Sequence, residues 1–177
     1  MNETLPLRIE PLHATAVLPY GWMLGKPVES APAGTAFASP ASDFWQEHVF
    51  DTGTGGEPEI LWVDYRSAEP VIARLEVHDL TEQAVVPLTA AIVQVVAAST
   101  ATGTPDLGTL RAFLVPQGQG ICMKPGTWHA TRTAGAEARC LMLTRRSTTR
   151  DLAAHLNDGA PIAESRLAYV PPLRLTR

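Results

Sequence analysis

The sequence has no long hydrophobic run. None of its 177 residues belongs to a stretch approaching the roughly 18 apolar residues that a membrane-spanning helix needs. The segment from Ile92 to Ala98 is apolar but only as long as a strand, and Gln94 interrupts it. Residues 1–24 also lack the basic start and the apolar core of a secretory leader. The sequence therefore predicts a protein that does not enter the membrane, and the cytoplasm is its expected location.

Basic residues and cysteines are also scarce. Fourteen Lys and Arg stand against eighteen Asp and Glu, for a formal net charge of −4. A chain without a basic stripe cannot replace the counterions of nucleic-acid phosphates, so no nucleic-acid partner is expected. The two cysteines, Cys122 and Cys140, fall in predicted strands, where we expect them to be reduced and buried.

Proline and glycine are abundant instead, with 15 and 13 residues spread along the whole chain. They cut it into short segments that alternate or are β-branched, which is typical of an all-β sandwich or barrel. The length favours one domain over residues 1–177. Strands are predicted at 44–50, 60–66, 70–78, 84–87, 91–97, 110–115, 119–124, 127–131 and 138–145.

A short helical turn is predicted at 14–18, and one longer helix is predicted near the end of the chain. Thr148 is placed to cap it, with Asp151 three residues later, and Gly159 is placed to end it. We expect this short C-terminal helix to pack against the outside of the barrel or against a partner subunit.

Two segments carry the candidate chemistry. In the strand at 70–78, alternation places Arg74, Glu76 and His78 on one face, and Gln83 follows shortly after. About fifty residues later a Pro-Gly turn leads directly into Trp128-His129, which puts His129 at the start of a strand. The two segments together look like the paired signatures of a cupin barrel. The predicted fold is therefore all-β, a cupin-like β-barrel of the double-stranded β-helix type.

These residue types allow more than one chemistry. Glu76, His78, Gln83 and His129 could hold a divalent ion such as nickel, zinc or manganese. A histidine beside a glutamate can equally move protons without a metal, with a cation such as Arg74 or Lys124, or with Gln83, holding the substrate. Arg74 is favoured among the basic residues because it shares a face with Glu76 and His78. A structural alternative is a pair of strand histidines that only form hydrogen bonds with their neighbours.

Three runs of the sequence resemble the ureidoglycolate lyase family, namely Leu110–Leu114, Gly118–Ile121 and Gly126–His129. The Glu76-x-His78 pair agrees with the strand that precedes these runs in that family. The resemblance implies a cupin-like homodimer that splits ureidoglycolate into glyoxylate and urea during allantoin (purine) breakdown. Nickel or another divalent ion has been associated with some members. It further implies a base at His129 or Glu76, and a cation such as Arg74 on the substrate carboxylate.

The resemblance has departures. Cys122 and Met123 stand where the family pattern has Asn and Tyr, and Ala130 stands where it has a second histidine. These departures predict an altered substrate or a lost activity. Two other functions therefore stay open: a non-catalytic cupin that binds a small carboxylate, and a metal-dependent enzyme acting on a different small hydroxy acid.

Overall fold

The computed structural model describes residues 4–177. Within that range it contains two α-helices, α1 (Ala14–Val17) and α2 (Arg146–Asp158), and thirteen strands. The strands are β1 (Leu5–Pro11), β2 (Gly21–Leu24), β3 (Ala36–Ala38), β4 (Asp43–Trp45), β5 (Pro58–Tyr65), β6 (Val71–His78), β7 (Gln83–Pro87), β8 (Ile92–Ala97), β9 (Arg111–Val115), β10 (Gly120–Met123), β11 (Trp128–Thr133), β12 (Ala138–Arg145) and β13 (Ser165–Thr176).

Two sheets make up most of the molecule. Six strands close into a barrel in the order β1-β13-β6-β11-β8-β9, and five form a sheet in the order β2-β10-β7-β12-β5. The short strands β3 and β4 pair separately. The all-β, cupin-like barrel and the short helix predicted from the sequence are confirmed, although β4 covers only the beginning of the strand predicted at 44–50.

Alternation along the barrel strands creates two hydrophobic cores. On β8, Val93 and Val95 belong to the core inside the six-stranded barrel. Their neighbours Ile92 and Val96 belong to a second core, which includes Val85 and other residues of the five-stranded sheet. Successive side chains of a strand point to opposite faces, so each central barrel strand contributes side chains to both cores. A polar side chain on the second face consequently lies between the two sheets.

The structure corrects the prediction for the end of the chain. Helix α2 begins at Arg146, and the hydroxyl of Thr148 donates to the Glu164 carboxylate instead of capping the helix. Asp151 accepts hydrogen bonds from backbone amides of the following loop, among them the amide of Glu164. The predicted capping box is therefore wrong. The predicted helix end is confirmed, because Gly159 has the left-handed φ of 70° that favours glycine.

The longest strand follows this helix and was not predicted. β13 pairs antiparallel with β6 and parallel with β1, and β1 was not predicted either. Pro171 and Pro172 fall where the pairing with β6 shifts register, between Tyr169 and Leu173. Proline cannot donate to a ladder, so it is tolerated at such an irregularity. No helix among residues 4–177 combines the length and the apolar character that a membrane span requires.

Candidate functional site

The candidate site begins with two residues on neighbouring strands. His129 on β11 lies directly opposite Glu76 on β6 in the antiparallel register. His129 also lies opposite Val96, which belongs to the core between the sheets. Directly opposed residues share a face, so both side chains point towards the five-stranded sheet. The imidazole is buried, whereas the Glu76 carboxylate remains about one-third exposed at 34%.

Hydrogen bonding defines the proton positions of His129. Its Nδ1 lies 3.0 Å from the backbone oxygen of Thr127. A carbonyl oxygen can only accept, so Nδ1 must carry the hydrogen, and in the neutral ring Nε2 carries the lone pair. Nε2 lies 3.3 Å from Glu76 Oε1 and has no partner of regular hydrogen-bond geometry within residues 4–177. Nε2 is therefore the ring nitrogen that is not committed to the backbone, and it lies next to a carboxylate.

Glu76 is ionised across the neutral range. Burial by itself raises the pKa of this carboxyl group, but the hydrogen bond and charge that His129 supplies in its protonated form, with the charge of a protonated His78 and that of Arg74, outweigh it. Together they lower the pKa of Glu76 to about 2. Glu76 therefore keeps its negative charge beside the His129 ring.

His78 lies beside this pair in a different protonation environment. Its Nδ1 lies 2.9 Å from the Ser165 hydroxyl, and its Nε2 lies 2.9 Å from the Gln83 amide nitrogen. Burial, followed by the repulsion of His129, lowers the pKa of His78 to about 4. The ring centroids of His78 and His129 are 5.1 Å apart. His78 is therefore neutral at neutral pH and held in place by hydrogen bonds to both ring nitrogens.

The arrangement also fits a divalent ion. One donor atom each from Glu76, His78 and His129 lies within 4.8 Å of the others. Ligand atoms 2.0–2.2 Å from a shared ion are themselves roughly 3 to 4.4 Å apart, so small side-chain movements would close the three on one ion. The buried, unpartnered Nε2 of His129 is a ready ligand. Gln83 now contacts His78 Nε2 through its amide nitrogen, so it would have to release that ring nitrogen to the ion and turn its amide oxygen inwards to become a further ligand.

A polar cavity of about 440 Å³ opens beside the pair. Arg74 lines it together with Glu76 and His129, and Arg74 forms no salt bridge within residues 4–177. Tyr65 and Thr131 also line it and were missed by the sequence analysis. Thr131 could have been found, because it lies two residues after His129 and shares its strand face. Burial raises the pKa of Tyr65 to about 12, which leaves its phenol a neutral hydrogen-bond donor.

A larger cavity of about 640 Å³ lies elsewhere on the barrel. Ile9, Val93 and Leu175 are among its mostly apolar lining residues. None of the site residues predicted from the sequence lines it. We therefore assign the candidate chemistry to the smaller, polar cavity.

Comparison with known proteins identifies the family of this chain. A family model described as ureidoglycolate lyase matches residues 4–162. The chain belongs to the ureidoglycolate lyase family. A ureidoglycolate lyase from Chelativorans sp. (strain BNC1) is 29% identical over 145 residues, covering 77% of this chain and 82% of that protein.

Solved structures with a similar fold are more distant from this family member. A dTDP sugar isomerase from Desulfovibrio desulfuricans G20 has 13% identity and a TM-score of 0.49, with 85% of each chain covered. An oxalate decarboxylase from Bacillus subtilis has 11% identity and a TM-score of 0.39, with 66% of this chain and 33% of that chain covered.

The structure shows where this ureidoglycolate lyase family member departs from the family pattern. Met123 belongs to the core between the sheets, on the same side as the site. Ala130 packs against the core inside the barrel. Cys122 lies between Ile121 and Met123 on β10 and therefore points to the outer face of the five-stranded sheet. Two of the three departures thus place their side chains away from the Glu76–His129 pair.

Lys124 lies apart from the residues that the structure brings together. Its ammonium donates to the backbone oxygen of Leu18 at 2.6 Å and lies 5.1 Å from the centre of the Trp22 ring. Lys124 does not line the polar cavity, whereas Arg74 does. The structure therefore gathers Glu76, His78, Gln83 and His129 with Arg74 nearby, and leaves Lys124 outside.

Proposed function

We propose that this protein is a ureidoglycolate lyase that releases glyoxylate and urea at the Glu76–His129 pair. Membership of the family supports the class of reaction. The observation that carries the proposal for the site is the position of His129 Nε2, the ring nitrogen not committed to the backbone, which lies 3.3 Å from an ionised carboxylate at a polar cavity.

The chemistry requires one base and one returned proton. His129 Nε2 removes the proton from the substrate hydroxyl, and the oxygen's electrons form the aldehyde carbonyl as the carbon–nitrogen bond breaks. The departing ureido nitrogen then takes a proton from the imidazolium, which yields urea and restores the neutral ring. Glu76 stabilises the imidazolium between the two transfers. Such positioned proton transfer contributes about 10²- to 10⁴-fold to a reaction rate.

Arg74 is suited to hold the substrate carboxylate. It lines the cavity, it is exposed, and within residues 4–177 it has no acidic partner to displace. A guanidinium binds a carboxylate through charge-assisted hydrogen bonds in a fixed fork geometry. Tyr65, as a neutral phenol, can donate a further hydrogen bond in the same cavity.

Replacing Arg74 by methionine should therefore weaken substrate binding more than catalysis. We expect KM to rise about 10- to 100-fold with a smaller change in kcat, since the contact is present in both the ground state and the transition state. Arg66→Met is the matched control, because Arg66 is exposed and pairs with Asp64 outside the cavity. Steady-state kinetics of both variants measure the effect. An unchanged KM in Arg74→Met would mean that Arg74 does not bind the substrate carboxylate.

Alternatively, a divalent ion held by Glu76, His78 and His129, with Gln83, would occupy Nε2 of His129 and would instead supply a Lewis acid that lowers the pKa of the substrate hydroxyl. The first assay therefore follows glyoxylate and urea from racemic ureidoglycolate, with untreated protein and after EDTA followed by nickel or manganese. Urea release above the spontaneous rate supports the lyase. Loss of that release with EDTA and its return with one ion would identify a metal-dependent site. No release under any condition would contradict the lyase and favour a cupin that only binds a carboxylate or acts on another hydroxy acid.

We also propose a cytoplasmic homodimer. Both cysteines are free and buried, in keeping with a reducing compartment. Ile60 and Trp62 on β5 are 67% and 66% exposed, and a large exposed apolar surface is typical of an interface. A Trp62→Glu variant should therefore have half the wild-type mass by light scattering. Leu156→Glu, at a similarly exposed position on α2, should keep the wild-type mass; equal masses in all three proteins would exclude this face.

A further inference from the structure

A second cluster of metal-binding side chains lies away from the Glu76–His129 pair. It consists of His48, Glu82 and Cys122, which we call the outer-face cluster. One donor atom from each residue lies within 4.8 Å of the others. His48 Nε2 is 2.8 Å from Glu82 Oε2, and Cys122 Sγ is 3.7 Å from the same oxygen. The proposed reaction uses none of these three residues.

The strand register places this cluster on the opposite side of the five-stranded sheet. Ile121 and Met123 point into the core between the sheets, so Cys122 points outwards. Trp22 is directly opposite Cys122 on β2 and stacks on the His48 ring, with centroids 4.1 Å apart. The cluster therefore lies under the irregular segment 46–57, which covers this face.

We infer that the outer-face cluster is a zinc site that fastens segment 46–57 to the five-stranded sheet. Imidazole, carboxylate and thiolate are the ligands that zinc prefers. With bonds of 2.0–2.3 Å in tetrahedral geometry, neighbouring ligand atoms are roughly 3.4 to 3.6 Å apart. The sulfur-to-oxygen distance of 3.7 Å is within roughly 0.1 Å of this range. The imidazole nitrogen, 2.8 Å from the same oxygen, needs to move away by roughly half an ångström. The Asp51 amide, which donates to Glu82 Oε2, would orient that carboxylate in the complex.

Charge and access are consistent with an ion at this position. One thiolate and one carboxylate neutralise a divalent cation, while His48 binds as the neutral ring. In the metal-free protein, burial and then the negative charge of Glu82 raise the pKa of the Cys122 thiol. Binding therefore releases the thiol proton and weakens as the pH falls. Glu82 and Cys122 are buried, but the His48 side chain is 17% exposed and gives solvent a route to the fourth ligand position.

Cobalt(II) distinguishes this site from the Glu76–His129 site, because only the outer-face cluster contains a thiol. We expect the purified wild-type protein to bind cobalt with a thiolate-to-metal charge-transfer band in the near ultraviolet, and zinc to displace that band. Cys122→Ser should abolish the band. Cys140→Ser and His129→Asn should retain it, since Cys140 is an equally buried thiol in the core between the sheets.

A second variant and a second measurement keep the test valid even if Cys122→Ser misfolds. His48→Asn removes a proposed ligand and should weaken zinc affinity by at least about 100-fold, the upper end of the loss caused by replacing a residue that only orients a ligand. A zinc concentration just sufficient to saturate the wild-type protein should raise its thermal midpoint clearly more than that of either variant. The inference is overturned if cobalt gives no charge-transfer band, if the band survives in Cys122→Ser, or if it disappears in His129→Asn. Each of these results is independent of whether the protein cleaves ureidoglycolate.

Discussion

A His129→Asn variant should lose about 10²- to 10⁴-fold in kcat for ureidoglycolate cleavage, the contribution of a positioned general base. Asparagine keeps a polar group at the position but cannot take up the hydroxyl proton. The substrate carboxylate still meets Arg74, so KM should change little. The measurement is the steady-state release of urea, corrected for the spontaneous reaction.

His155→Asn is the matched control for this experiment. His155 lies on α2, and its Nδ1 contacts the backbone oxygen of Ala160, away from the polar cavity. We expect this variant to keep the wild-type kcat. Thermal melts of both variants separate a loss of the base from a loss of folded protein. A His129→Asn enzyme that is folded and retains full kcat would place the base elsewhere.

As the pH falls, the lowered pKa of His78 should reduce the stability of the protein at a higher pH than the lowered pKa of Glu76 does. The pKa of His78 is lowered by burial to about 4 in the folded state, from an ordinary value of 6.5. Between these values the unfolded chain binds a proton that the folded chain does not, so stability falls as the pH falls. From pH 7 to pH 5 the expected loss is about 2 kcal/mol in the free energy of unfolding. Glu76, with its pKa lowered to about 2 from 4.5, adds its own loss only below pH 4.5.

The comparison of His78→Asn with the wild type isolates this contribution. Urea denaturation at several pH values between 5 and 7 should give a flatter dependence of stability on pH for His78→Asn, whatever its absolute stability. His13→Asn, at an exposed position before α1, should keep the wild-type slope. Equal slopes in all three proteins would mean that His78 takes up protons as freely in the folded state as in the unfolded state.

The sequence was most informative where local patterns determine structure. Alternation in the strand at 70–78 correctly placed Glu76 and His78 on one face, and the Pro-Gly turn correctly placed His129 near the start of a strand. Glu76 and His129 come together because β6 and β11 are neighbours in the barrel. The resemblance of the two segments to the paired cupin signatures implied this neighbourhood.

Other features depend on contacts that no local pattern records. β1 and β13 were missed because their pairing joins residues from opposite ends of the chain, and because Pro171 and Pro172 argue locally against a strand. Tyr65 reaches the cavity from the other sheet, so only the packing of the two sheets reveals it. The outer-face cluster was missed for the same reason, since His48 lies in an irregular segment far from Cys122 in sequence.

The parallel pairing of β1 with β13 has a consequence for synthesis. β1 contacts β9 through its second half and β13 through its first half, so it links two strands that leave the ribosome at very different times. Contacts between distant parts of a chain form slowly, because a long loop must first close, and its entropy is lost before the new contacts can stabilise the fold. During translation the sheet therefore has an open edge on β6 until β13 emerges, and exposed edges invite pairing with other chains. Nascent chains stalled before Ser165 should consequently be the species that chaperones bind most strongly.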